Sequence, residues 1–135
     1  MGDKQNEPGG FRSRVPPIIR TALAAETWSS RAVVLSLEDS IERSILAEAF
    51  HGLGWKIHNI NFCVALITLV EPDLIISDDP CIIADISDVY TKGLPDVVIL
   101  VDGRESAIEG AWNAGADCVL IRPLDPRDPL GLTKL

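Results

Sequence analysis

The stretch that decides the fold is "PDLIISDDP", Pro72 to Pro80. Leu74 to Ser77 reads as a short strand, apolar on both faces. It ends in two adjacent carboxylates, Asp78 and Asp79, and is closed by Pro80. Two like charges side by side need water, a cation or a basic partner. The stretch is therefore a surface turn, a helix cap or a site at the end of a buried strand.

The flanking sequence repeats the same grammar. Upstream, "AVVLSL", Ala32 to Leu37, is a buried-type strand. Asp39 then opens a helix, with Glu42 three residues on as in a capping box. Ile41, Ile45, Leu46, Ala49, Phe50 and Leu53 give that helix one apolar face, and Gly54 follows as its left-handed stop. "WKIHNI", Trp55 to Ile60, is a second short strand, and Phe62 to Val70 is helical up to Pro72. Downstream, Cys81 to Tyr90 carries a helical pattern. "DVVILV", Asp96 to Val101, is a fourth strand. Ser106 to Asn113 is a helix stopped by Gly115, and "DCVLI", Asp117 to Ile121, is a fifth strand.

Strands alternating with short helices predict right-handed β-α-β units, hence a five-stranded parallel sheet in a doubly wound three-layer α/β sandwich. In such sheets, sites form beyond the carboxyl ends of the strands. Glu38 and Asp39 end the first strand, Asp78 the third, Asp102 the fourth and Arg122 the fifth. All five are expected on one rim. Positions 1–16 read as a flexible tail, 17–30 as a short helix or linker, and 31–130 as the domain.

The totals restrict the function. The chain has 135 residues, 47% of them hydrophobic, and a formal net charge of −8. That charge opposes unaided binding to DNA or to anionic membranes. The longest mainly apolar run, Phe62 to Val70, is far short of a membrane span, and the polar N-terminus has no apolar signal core. A cytoplasmic protein is expected. Cys63, Cys81 and Cys118 form no C-x-x-C pair and read as reduced thiols. His51 and His58 read as structural. No glycine-rich phosphate loop supports a nucleotide site.

Three pieces together resemble the receiver domain of two-component response regulators. "LEDSIERSILAEAFHGLGW" resembles its acidic turn, first helix and entry to the second strand. "PDLIISD" resembles the strand carrying the phospho-acceptor aspartate, and "AWNAGADCVLIRPLDP" resembles its last strand and basic-Pro segment. The resemblance implies the strand order 2-1-3-4-5 and a protein that signals by contact rather than as an enzyme. It implies Asp78 as phospho-acceptor, served by a histidine kinase in a phosphorelay. Glu38, Asp39 and Asp78 become candidate ligands of Mg²⁺, and Tyr90 and Trp112 lie near the face that receivers offer to effectors.

Several positions depart from that pattern. Counting back from Gly54 puts the acidic pair on Leu37 and Glu38; a shift of one puts it on Glu38 and Asp39. The phosphoryl-binding hydroxyl falls on Leu100 or Val101, and the lysine is Arg122, a planar fork rather than a point charge. "DPRDPLGLTKL" is a poor fifth helix. These departures describe a degenerate, or pseudo-receiver, module, with a working phospho-acceptor as the alternative. Simpler roles stand beside each: Asp78 as a loop carboxylate or cap, Glu38 and Asp39 as caps, and Arg122 in a salt bridge to Asp78 or Asp79.

Overall fold

A computed structural model describes residues 10–13, 31–60, 63–89 and 95–129. Its elements are β1 (Gly10–Ser13), β2 (Ala32–Ser36), α1 (Ser40–Gly52), β3 (Lys56–Asn59), α2 (Val64–Val70), β4 (Leu74–Ser77), α3 (Cys81–Val89), β5 (Asp96–Val101), α4 (Glu105–Ala114) and β6 (Cys118–Ile121). Five strands are parallel, in the order β3-β2-β4-β5-β6. Counted along the chain from β2, that is the expected 2-1-3-4-5.

Four of the parallel strands are mainly apolar on both pleat faces, and each face finds a helix, while the edge strand β3 is half-buried at its centre and exposed at its ends. Val33, Leu35, Leu74, Ile76, Val98 and Leu100 point to one side, where α1 inserts Leu46 and Phe50. Val34, Ile75, Val97, Ile99 and Val119 point to the other, against Ile67 of α2, Ile82, Ile83 and Ile86 of α3 and Ala111 of α4. Burying each such side chain contributes about 1.5–3 kcal/mol. Trp55 packs edge-on to Phe50, with ring centroids 5.1 Å apart.

Local signals set the helix limits. Asp39 caps α1, its Oδ1 accepting from the amides of Ile41 at 2.8 Å and Glu42 at 3.0 Å. Gly54 (φ 84°) follows the end of α1, and Gly115 (φ 107°) caps α4. Ahead of Pro72, Glu71 takes the left-handed conformation (φ 53°) that ends α2.

One expectation changes. Gly10–Ser13, within the stretch read as a tail, forms a strand antiparallel to β6, with Gly10 opposite Ile121 and Ser13 opposite Cys118. The sheet therefore has six strands. Composition alone misses this because β6 supplies the reason: an apolar edge strand leaves a row of open N–H and C=O groups. Residues 122–129 turn without helix, so the described part of the C-terminus holds no fifth helix. The helix or linker expected over 17–30 lies outside the described residues.

Candidate functional site

The carboxyl ends of β2, β4 and β6 meet in an open cleft of about 720 Å³. Its walls include Glu38, Arg43, Asp78, Asp79 and Arg122, with Ser36, Leu37 and Ser77 beneath. Glu38, Asp78 and Arg122 thus come together as the sequence predicts. Asp39 stands on the same edge, but its carboxylate is engaged as the cap of α1.

Arg122 takes a closer partner than either of the two expected of it. Its guanidinium grips Glu42 in a two-pronged pair, Nε donating to Oε2 at 2.6 Å and Nη2 to Oε1 at 3.0 Å. Nη2 also lies 3.9 Å from Asp78 Oδ2. No contact joins Arg122 to Asp79, whose Oδ1 instead accepts from Cys81 N at 3.0 Å and so starts α3. The expected bridge to Asp78 is present as this longer ion pair, and Glu42 is the arginine's hydrogen-bonded partner. The hydrogen bond to Glu42 raises the Arg122 pKa above its already high ordinary value, with the nearby charges of Glu42, Asp78 and Asp102 adding to it against partial burial. Arg122 stays charged at any pH the fold tolerates.

Asp78 is held by backbone as well. Its Oδ2 accepts from Glu38 N at 3.0 Å, tying the end of β4 to the turn after β2. Arg43 Nη1 donates to Leu37 O at 2.6 Å and steadies the same turn. Ser36 pairs with Ser77 across β2 and β4, so the next residues, Leu37 and Asp78, stand level. Leu37 is 3% exposed and belongs to the α1-side core. An apolar side chain thus stands where a second carboxylate would neighbour Asp78. On β5, Ser77 pairs with Ile99, which sets Leu100 level with Asp78, and both Leu100 and Val101 are buried. Asp102, one residue on, turns to Arg104, accepting from its amide and its Nε at 3.0 Å each.

These residues do not suit Mg²⁺, which takes near-octahedral oxygen ligands. Leu37 offers none, Asp39 is spent on its cap, and Glu38 is exposed. Among the described residues no three carboxylate, imidazole or thiol groups converge on a metal position. The trio Glu38, Asp39 and Asp78 shares an edge without forming a chelate.

Sequence reading missed Glu42. It sits at the capping-box position and looks fully explained by that, while its actual partner lies 80 residues away. Ser36, Ser77 and Arg43 were likewise absorbed into strand and helix patterns. Trp112 is half-buried and packs against the core on the α4 side of the sheet. Tyr90 lies outside the described residues.

No family model matches the chain, and no curated protein is significantly similar to it in sequence. Solved structures do match its fold. A protein assigned as a response regulator from Chloroflexus aurantiacus J-10-fl superposes with a TM-score of 0.67 at 17% identity, covering 78% of this chain and 95% of that one. The receiver domain of the TMAO respiratory system response regulator TorR gives 0.57 at 17%, covering 77% and 93%. A protein assigned to pilus assembly, CpaE from Burkholderia thailandensis E264, gives 0.56 at 19%, covering 77% and 94%. At these identities the likeness concerns fold, and it is the fold expected from "PDLIISDDP" and its flanks: the chain carries a receiver-like α/β domain.

Proposed function

We propose that this protein is a two-component-type signalling module that works by protein–protein contact, without the usual phosphorylation switch. The observation that carries this reading is the Glu42–Arg122 pair beside Asp78. A phosphoryl group adds about 1.5 to 2 negative charges and needs a cation or free donors to receive it. Among the described residues, the one basic group paired with Asp78 within 4 Å, Arg122, is already committed through two hydrogen bonds to Glu42. Leu37 removes an oxygen that a divalent cation would use, and Leu100 and Val101 offer no hydroxyl. The rim's arginine is held from within by Glu42, which favours one fixed conformation over a switch. No helix of the described residues is long and apolar enough to cross a membrane. A cytoplasmic partner, either a histidine kinase or an effector, fits this reading, which has no enzymatic step.

The test is incubation of the full chain with acetyl or carbamoyl phosphate and Mg²⁺, followed by intact-mass measurement. The expected result is an unmodified chain. A phosphorylated species that vanishes in Asp78→Asn would overturn this reading and establish a working phospho-acceptor instead.

A further inference from the structure

We propose that the carboxyl-end cleft takes a primary ammonium group, the tip of a lysine side chain from the partner protein. The proposal deepens the contact-signalling reading above and rests on its premise that Asp78 stays unmodified.

The charge balance of the cleft fixes the sign of its ligand. Glu38, Asp78 and Asp79 line it together with Arg43 and Arg122, and Glu42 holds Arg122 through two hydrogen bonds. Four acids therefore stand against two arginines, so a positive ligand is favoured. Asp78 is the acid best placed to receive it. Its side chain is 21% exposed, which limits screening by water and salt. Oδ2 accepts from Glu38 N and lies 3.9 Å from Arg122 Nη2, while no hydrogen bond reaches Oδ1 among the described residues.

A second observation is independent of the acids. Ser36 is 6% exposed and lines the cleft, yet no hydrogen bond reaches its hydroxyl among the described residues. Buried hydroxyls are normally paired, because an unpaired one forfeits its bonds to water. This one opens on the cleft rather than being sealed in the core. Ser77, 1% exposed, stands level with it on β4. The Ser77 Oγ accepts from Asp79 N at 3.1 Å and keeps a second lone pair. Paired strands lie about 4.8 Å apart, so the two hydroxyls sit side by side on one pleat face.

Asp78 Oδ1 and the two serine oxygens offer three acceptors at one sheet end. An ammonium presents three donors around a compact charge, which matches that set. A guanidinium fork needs two parallel acceptors, and Asp78 has one oxygen left. A divalent cation finds one free carboxylate oxygen there and two neutral hydroxyls, a weak set for a hard ion.

The test is an NMR titration of the isotope-labelled full chain at about physiological salt. The probes are n-butylammonium, n-butylguanidinium and the peptide acetyl-Ala-Lys-Ala-amide. Saturable shifts at the amides of Glu38 and Asp79 are expected with butylammonium and with the peptide, at a Kd on the order of 1 mM. Butylguanidinium should bind about fivefold more weakly or worse. Ser36→Ala should weaken butylammonium by a similar factor, and Asp78→Asn should abolish the shifts. Glu48→Gln, which removes an exposed acid of α1, should leave the Kd unchanged. Equal binding of the two small cations, or an unaltered Kd in Ser36→Ala, would overturn the ammonium site. Spermidine binding more than tenfold tighter than the peptide would overturn the partner lysine in favour of a free polyamine. Intact mass after acetyl phosphate treatment separates the two readings. Modified Asp78 in a chain that still takes butylammonium when unmodified sinks the contact-signalling reading and leaves the site standing. An unmodified mass with no saturable shift sinks the site alone.

Discussion

The two ends of the parallel sheet carry acids for opposite purposes. At the carboxyl end, Arg122 on the cleft wall pairs with Glu42 and reaches Asp78 at 3.9 Å, so one cation serves two acids. At the amino end, Asp73, Asp96 and Asp117 each stand at the entry to a parallel strand. Asp73 Oδ2 accepts from Ala32 N at 2.8 Å, and Asp117 Oδ2 accepts from Val97 N at 2.8 Å. Those two carboxylates tie one strand's entry to an amide at the start of its neighbour. They are fold acids, while the carboxyl-end group lies where ligands bind in this architecture. The amino end is also poorly balanced. Arg31 reaches Asp73 only at 3.8 Å, and its Nε is buried with no hydrogen-bond partner among the described residues. Burial raises the pKa of Asp96, and the charges of Asp117 and Asp73 push it the same way against Arg31.

The largest expected effect comes from breaking the carboxyl end. Arg122→Leu leaves the Glu42 and Asp78 carboxylates without their cation, and should cost about 2–3 kcal/mol in urea unfolding at unchanged slope. Glu42→Leu/Arg122→Leu should recover most of that loss, because the charges then leave together. A double variant as weak as the single one would mean that the pair does not act as a unit.

Next in size are the amino-end ties. Asp73→Ala and Asp117→Ala each strand a backbone amide, and each should cost about 1–2 kcal/mol. Hydrogen exchange at Ala32 and Val97 respectively should rise first. If Arg122→Leu accelerates exchange at those amides as much as at Leu37 and Glu38, the two ends are not separable.

Asp96 moves the other way. Its folded pKa is raised, so the folded state binds the proton more tightly than the unfolded chain does. Its contribution to stability is therefore greatest in acid and declines as pH rises through the folded value. Asp96→Asn should stabilise the protein at neutral pH and flatten this part of the pH profile, read as urea midpoints between acid and neutral conditions. The smallest effect is expected for Asp102→Asn. The hydrogen bonds from Arg104 hold the Asp102 pKa below the usual carboxylate range, but the pair lies at the surface, open to solvent. Its removal should leave the thermal midpoint unchanged within error.

The contrast also marks what the sequence could reveal. The buried strands were legible because β2, β4, β5 and β6 are unbroken apolar runs, and the cap of α1 because Asp39 acts within three residues of itself. The convergence of Glu38, Asp78 and Arg122 followed from topology once the strands were assigned. What stayed hidden depends on distant partners. Glu42 had a sufficient local explanation, and "GFRS" has neither the alternation nor the composition of a strand until β6 stands beside it. Apart from strand entry, nothing local to Asp96 signals its unusual proton affinity, which comes first from burial and then from two carboxylates 21 and 23 positions away.

Leu37 belongs at once to the lining of the cleft and to the hydrophobic interior. Anyone wishing to graft a cation centre onto this rim would have to begin inside the protein: Leu37→Asp supplies the missing oxygen only by placing an ionised group among Leu35, Leu46 and Phe50. Redesign of this cleft is therefore a repacking problem first and a ligand problem second.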